Sequence, residues 1–460
     1  MKRSYRLYAA VTPSLEDLLK KELTNILKQH QQQQLQQQQQ KLQQHEQQDV
    51  DLSKKKKSLP VVSTPPLALP TLTTDRGGVE CADLTPEQLW SITHHSRLAE
   101  TLRVRLGQPF KSTNFNMLKS GLQQLPWSNY FAVRDRTLPE CSASCASSAL
   151  YHSGAVEERV LEHFQKNVIF VKRMTPEMAS EDSGHSRLFV RLVDDMAQIS
   201  VDVCNGDGLH KRTPGKHVTD APIRETLAAA LLTATGFSSA RPFNIWDPFM
   251  GSGTIIQEAL GIARGGRCTP TERRYAFEQW PLHRADRYDS FLVRINEQMA
   301  INSSRLLDDL RAEKVVFYGS DIDPKAVRAA QHNLTEAGFQ ILPTTSNDLG
   351  SDAAPNNNNG YIRLWQGDFK DALKGINHKV NIITNMPYGS RIMSGKGAIS
   401  KSLKDTFVSF GEMIRTSDKI HNVYVLNGHP MFKELSGVEW NVLLEFTNGG
   451  LPVEFLKMKR

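Results

Sequence analysis

The sequence predicts an α/β protein, with a doubly wound parallel sheet in the C-terminal half preceded by smaller α+β elements. Three observations carry this reading. From about Gly206 onward, short apolar strands recur with helical segments between them, the pattern of repeated β-α units. A glycine-rich turn, Asp247-Pro248-Phe249-Met250-Gly251-Ser252-Gly253-Thr254, joins the first of these strands to a helix. The next two strands close on acids, Asp321 and Asp368. At 460 residues the chain exceeds one ordinary core, so two or three domains are expected.

The elements follow in order. Residues 4–11, SYRLYAAV, alternate as a strand does. The helix LEDLLKKELTNIL follows, with Leu15, Leu18, Leu19, Leu23 and Leu27 at helical spacing. Residues 29–75 run through a glutamine tract, Lys54 to Lys57 and a Pro/Ser/Thr-rich stretch; this composition cannot bury a core and predicts a disordered insertion. The lysine run reads as a solvated linker, with nuclear import or RNA contact as the alternative. Order resumes near Gly77 with helical segments from PEQLW to LRVRL and over residues 155–166. SRLFVRLVDDMAQISVDVCNG reads as a hairpin turning at Asp194-Asp195. A helix over 222–235 opens the α/β part, and its strands are FNIWD, VVFYGSD, YIRLWQGD, VNIITN and NVYVLN. Residues 344–360 are a polar insertion with little structure expected.

Composition narrows the function. Net charge is +7 and the pI about 9.0, a balance that suits a polyanionic partner. The five cysteines are scattered, which argues against a disulfide scaffold and for a reducing compartment. Cys141 and Cys145 stand close, but two further ligands at zinc spacing are missing, so no metal is expected. No apolar run spans a bilayer, and the N-terminus reads straight into a strand without a leader, so cytosol or nucleus is the default expectation.

The glycine turn is neither the GxGxxG of dinucleotide enzymes nor a P-loop. Its glycines would let backbone approach a ligand, and a helix N-terminus favours negative charge, though a plain strand-to-helix connection would look the same. Asp321 can accept hydrogen bonds from both ribose hydroxyls; capping the following helix is the alternative, better suited to Asp323 before Pro324. Asp368 is placed to meet an adenine amino group. Together these point to a nucleoside ligand. Asn385-Met386-Pro387-Tyr388 follows the strand VNIIT. Methylation of an exocyclic amine needs acceptors for its hydrogens, so that the lone pair turns toward a sulfonium methyl. Asn385 offers a side-chain carbonyl and Met386 a backbone carbonyl, fixed by Pro387; Tyr388 offers a stacking face for a flipped base. A simple Pro-Tyr-Gly turn is the alternative.

With these residues in place, the chain resembles the THUMP-domain RNA guanine-N2 methyltransferases, most closely the large-subunit ribosomal RNA type with one methyltransferase domain. DGLHKR, APIRETLAAALL, DPFMGSGT, AFEQWP, GSDIDPKAVRAAQHN and TNMPYGSR carry the match, with LEDLLKKEL and WSITHHSRLAETLRVRLG near the N-terminus. The family usually has Pro where Met386 stands and Cys where Met250 stands. The resemblance implies a ferredoxin-like module (1–85, carrying the 29–75 insertion), a THUMP module (86–205) and a Rossmann-like methyltransferase domain (206–460). It implies S-adenosylmethionine held by Asp247, Gly251, Gly253, Thr254, Asp321 and Asp368, and a target base held by Asn385, Met386, Pro387 and Tyr388. It implies RNA as partner, gripped near Arg97, Arg103, Arg105, Lys111 and Lys119. A tRNA guanine, an adenine, or a non-catalytic assembly role are the alternative functions.

Overall fold

The computed structural model describes residues 4–51, 69–132, 138–168, 187–213, 215–219, 222–344, 362–388 and 399–459. Two sheets organise them. The first is formed by β1 (Tyr5–Ala10), β2 (Leu72–Asp75), β3 (Gly78–Leu84), β4 (Thr101–Lys111), β5 (Glu140–Ala146), β6 (Arg187–Val193) and β7 (Met196–Asp202). Its order is β2-β3-β1-β4-β7-β6-β5, with β5 and β6 parallel and every other pair antiparallel. β4 is the hinge of the arrangement: Val104 sits opposite Leu7 on one side and Val201 on the other. Alternate residues (Leu7, Ala9, Leu102, Val104, Leu188, Val190) turn inward and are buried, as the two-residue period of a strand requires. The β6–β7 turn falls at Asp194 and Asp195, both with positive φ, as a tight hairpin demands.

Helix α1 (Glu16–Asp51) buries Leu19, Leu23 and Leu27, with Leu15 just before it, against this sheet's core. It corrects the expectation of disorder over 29–75. The helix runs through the glutamine tract, and β2 lies within the remainder, while 52–68, including the lysine run, fall outside the described residues. Residues 32–40 are exposed. Composition showed correctly that residues 32–40 add nothing to the core. Glutamine is nevertheless a good helix former, and a helix already anchored by packed leucines needs no new nucleus to continue. The 344–360 insertion likewise lies almost wholly outside the described residues.

Helices α2 (Pro86–His95), α3 (Phe115–Gln123) and α4 (Ser153–Asn167) complete the first part. Thr85 caps α2 through a reciprocal bond pair with Gln88. His94 at the end of α2 hydrogen-bonds to Tyr288 (2.8 Å), and Trp90 packs against Tyr288 and Phe291, which ties the first sheet to the second part.

The second part is the doubly wound α/β domain. Its helices are α5 (Glu225–Ala234), α6 (Thr254–Arg264), α7 (Ala285–Arg311), α8 (Pro324–Glu336), α9 (Phe369–Lys374), α10 (Lys401–Thr416) and α11 (Phe432–Ser436). Its strands are β8 (Ile245–Asp247), β9 (Phe317–Asp321), β10 (Ile341–Thr344), β11 (Ile362–Gln366), β12 (Val380–Asn385), β13 (Ile420–Asn427), β14 (Trp440–Asn448) and β15 (Leu451–Met458). The order β10-β11-β9-β8-β12-β13-β15-β14 is parallel through β13 and ends in the antiparallel β14–β15 hairpin. The chain leaves β8 toward β9 and later returns to β8's other side as β12, so strand order reverses at β8. In sheets of this kind ligands bind beyond the carboxyl ends of the strands at such a reversal. Among the described residues no helix is long and apolar enough to cross a membrane.

Candidate active site

The carboxyl ends of four neighbouring strands bring the sequence-predicted residues to one edge. Asp247 ends β8, Asp321 ends β9, Asp368 follows β11 and Asn385 ends β12. The register holds them in a row: Asp247 lies opposite Gly319, Asp321 opposite Gln366, and Asn385 opposite Leu426 of β13.

Asp247 is 1% exposed. Its Oδ1 accepts from Thr384 Oγ1 at 2.6 Å and from the Phe249 N–H at 3.2 Å. Burial pushes its carboxyl up to about 7, against the Thr384 and Phe249 hydrogen bonds, and the nearby Asp321 charge adds to the rise. Asp321 Oδ2 accepts from the Gly251 N–H (2.9 Å) and Oδ1 from the Asp323 N–H (2.9 Å). Burial raises this carboxyl too. Asp321 therefore braces the glycine turn, and it is Asp323 that caps α8 through the Lys325 N–H.

The turn needs its glycines. Gly251 has φ of 53° and Gly253 of 80°, the left-handed region. A Cβ on Gly253 would stand 3.1 Å from the Ala330 Cβ, so α8 packs directly against the start of α6. Thr254 is the first residue of α6, and its hydroxyl accepts from Lys216 Nζ at 2.9 Å. Asp368 caps α9 through the Lys370 N–H (2.8 Å), which engages one carboxylate oxygen.

Asn385 carries the most informative single atom. Its Oδ1 is buried and has no hydrogen-bond partner among the described residues. A buried carbonyl oxygen left unpaired costs on the order of 1–3 kcal/mol, so such an atom has acceptor capacity to offer an N–H donor. Met386 is 1% exposed, and its N–H bonds to the Leu426 carbonyl (3.0 Å), which fixes the backbone just past the strand. Pro387 is exposed. Tyr388 is half-buried, its ring close against Gly428, where a Cβ would come within 3.3 Å. Its hydroxyl accepts from Asn448 Nδ2 at 3.5 Å. Gly389 lies outside the described residues.

Several residues that shape this edge escaped the sequence reading. Thr384 holds Asp247 across 137 positions of chain, and no local spacing announces that pairing. Asn333 of α8, fully buried, donates to the carbonyls of His217 (2.8 Å) and Ser252 (3.0 Å) and accepts from the His217 N–H (2.9 Å). It pins residues 215–219 over the glycine turn, where Thr219 Oγ1 lies 3.4 Å from the place a Gly251 Cβ would occupy. A cavity of about 660 Å³ opens beside Lys216 and Glu225; none of the six expected cofactor residues lines it.

The expected basic surface is only partly one. Arg97 is 8% exposed and pairs with Glu258 of α6 at 3.0 Å, together with Arg212. It serves the interior and cannot reach RNA, because a guanidinium buried between the two parts must be paired where it stands. Arg105 pairs with Glu80 and Asp75, and Arg103 stacks on Phe189 at 3.7 Å. Lys111 and Lys119 are exposed.

Comparison with known proteins agrees with this geometry. Residues 214–349, which carry the glycine turn and Asp321, match the family model described as RMKL-like, methyltransferase domain. The α/β part is a methyltransferase domain. Its cofactor is S-adenosylmethionine. An uncharacterized protein of Dictyostelium discoideum is 28% identical over 98% of this chain and 99% of its own length. A ribosomal RNA large subunit methyltransferase K/L of Syntrophotalea carbinolica is 26% identical over 80% of this chain but only 47% of its own length, so the chain spans about half of that relative. A possible methylase from Clostridium difficile 630 shares the fold, with a TM-score of 0.69, 22% identity and coverage of 99% of this chain and 98% of that one.

The residues present fit such a cofactor. The two positive-φ glycines keep side chains away from the turn, Asp321 keeps acceptor capacity beyond its two backbone bonds, and Asp247 places a titratable carboxyl beside them.

Proposed function

We propose that the protein methylates the exocyclic N2 of a guanine in RNA, with large-subunit ribosomal RNA as the substrate class. The observation that carries this reading is the buried Oδ1 of Asn385, unpartnered among the described residues, at the same sheet edge as Asp247 and the glycine turn. An exocyclic amine supplies the missing donor. The ribosomal RNA relative supports the substrate class, and the net charge of +7 suits a polyanion.

Bound at the glycine turn, S-adenosylmethionine supplies an electrophilic methyl group on sulfonium sulfur. Asp247, Gly251, Gly253, Thr254, Asp321 and Asp368 hold it. Asn385 Oδ1 and the Met386 carbonyl accept the two amine hydrogens, which directs the nitrogen lone pair toward the methyl carbon. With the amine held by Asn385 and Met386, the cofactor would supply the methyl group and the surplus amine proton would pass to solvent. Tyr388 stacks on the extruded base, and Pro387 stiffens the loop between them. In this reading residues 1–85 and 86–205 are ferredoxin-like and THUMP modules that share one sheet through β4 and present RNA to the domain over 206–460.

The test is single-turnover methyl transfer at saturating cofactor, on ribosomal RNA from cells lacking the protein, with the modified base mapped by mass spectrometry. Wild type should form N2-methylguanine. Asn385→Ala should slow transfer by on the order of a hundredfold, the scale of losing a positioned polar group in a dry site, with cofactor affinity nearly unchanged. Equal rates for the two would refute the role of Asn385, and labelling of tRNA alone would refute the substrate class.

A further inference from the structure

Both groups placed to hold the amine, Asn385 Oδ1 and the Met386 carbonyl, are acceptors. A guanine held that way still presents O6 on the same edge, and O6 needs a donor. It is also what separates guanine from adenine, which carries an amino group at that position. The carboxyl end of β13 brings a donor to this edge. Leu426 lies opposite Asn385 in the register, and its carbonyl accepts from the Met386 N–H (3.0 Å), so β13 ends beside the Asn385–Tyr388 segment. Gly428, just past the strand, lies against the Tyr388 ring: a Cβ there would stand 3.3 Å from the ring and 3.4 Å from Val453 Cγ1. The next residue is His429.

His429 is 7% exposed and is held from three sides. Its N–H donates to Asn427 Oδ1 (3.0 Å), its ring packs edge-on against Phe407 with centroids 5.4 Å apart, and its Nδ1 accepts from the Met431 N–H (3.2 Å). A ring nitrogen that accepts from a backbone N–H carries no proton, so the proton of the neutral imidazole sits on Nε2. Burial favours that neutral form by lowering the imidazole's titration from its ordinary range. Nε2–H is therefore a donor of fixed direction, and among the described residues it has no acceptor. Shaping the turn from β13 into α11 would need only the backbone N–H and one acceptor atom, which asparagine or aspartate also supplies. The imidazole adds a second nitrogen that the turn does not use.

We propose that His429 selects guanine, donating from Nε2 to O6 of the base whose amine Asn385 and Met386 hold. This rests on the reading of the substrate as a guanine methylated at N2. It adds a specificity residue from the end of β13 to the segment that follows β12.

The experiment is single-turnover methyl transfer by the full chain at saturating cofactor, on a synthetic RNA that carries the mapped target site. The target position holds either guanine or 2-aminopurine, which keeps the 2-amino group and lacks O6. Wild type should transfer to guanine about tenfold faster or more, because an analogue without the oxygen leaves the donor unpaired. His429→Phe keeps a ring against Phe407 and removes the donor. It should slow transfer to guanine by about tenfold or more and leave 2-aminopurine nearly unchanged, so that the preference disappears. His429→Asn keeps an acceptor for the Met431 N–H without Nε2 and should behave the same way, which covers a failure of His429→Phe to fold. His429→Gln, whose amide nitrogen stands in for Nε2, should restore part of the preference. Equal wild-type rates on the two RNAs would overturn the proposal. So would a loss of the same size on both RNAs in His429→Phe or His429→Asn, which is the mark of a residue that only packs. Absence of transfer to guanine by wild type would remove the reading of the substrate, and this proposal with it.

Discussion

Asp247→Asn should make the unliganded protein more stable while weakening its grip on cofactor, and the gain should depend on pH. Asp247 is 1% exposed, and burial pushes its carboxyl up to about 7, with the neighbouring Asp321 charge adding to the effect. In the unfolded chain the same group titrates near 3.9. Below that pH the carboxyl is protonated in both states and its contribution to stability is fully present. As pH rises from about 4 to about 7 only the unfolded chain loses the proton, and stability falls by about 1.4 kcal/mol per pH unit; above about 7 the loss is complete. The upper bound is about 4 kcal/mol, and relaxation around a real buried charge brings the expected value to about 1–3 kcal/mol. Asparagine keeps an acceptor at Oδ1 for the Thr384 hydroxyl and the Phe249 N–H, and carries no charge. Thermal melts of both proteins between pH 5 and pH 8 test this. The variant's melting temperature should exceed wild type by several degrees at pH 8, and the gap should narrow toward pH 5. A gap of the same size at every pH, or a variant less stable at pH 8, would refute the assignment of a costly buried charge. Cofactor affinity should move the opposite way, since a carboxylate attracts the cationic sulfonium and an amide does not.

Two further substitutions separate the turn from the base platform. Gly253→Ala forces φ of 80° on a residue with a Cβ that meets Ala330 at 3.1 Å, and should cost about 1–3 kcal/mol of stability, read by chemical denaturation. Tyr388→Ala should leave S-adenosylhomocysteine binding unchanged and weaken RNA capture by about 1–3 kcal/mol in a fluorescence titration, as loss of a stacking face does; an unchanged RNA affinity would remove Tyr388 from the base pocket.

Much of the α/β domain was legible because its information is local. Strand, glycine turn and helix follow one another within 243–264, and acids close the next strands, so each unit announces itself over a dozen residues. Strand β10, four residues that interrupt no pattern, was not legible, nor was the β14–β15 hairpin, whose burial is too uneven to alternate cleanly. The glutamine tract shows a different failure. Composition reports whether a segment can pay for its own folding, and says nothing about a helix whose first turns are already secured elsewhere by Leu15, Leu19 and Leu23.

At the site, residue types were legible and partnerships were not. The row Asp247, Asp321, Asp368 and Asn385 follows from strand ends alone. That Thr384 holds Asp247, that Asn333 pins the 215–219 segment, and that Asp321 braces Gly251 are contacts across 70 to 137 positions of chain. Arg97 makes the point most sharply. In the sequence it stands in a basic stretch and reads as part of an RNA-facing surface. In the fold it crosses 161 positions to reach Glu258, one turn inside the helix that begins at the glycine turn, and Arg212 joins the same carboxylate. Removing Glu258 would strand two buried guanidinium groups, at a cost of about 3–5 kcal/mol, whereas an exposed arginine of an RNA surface would be lost with little effect on stability. The charge that looked like a contact for a ligand is therefore the element that fixes the first sheet against the helix carrying Gly253 and Thr254. Anything held by the N-terminal sheet is then held at a defined position relative to the glycine turn.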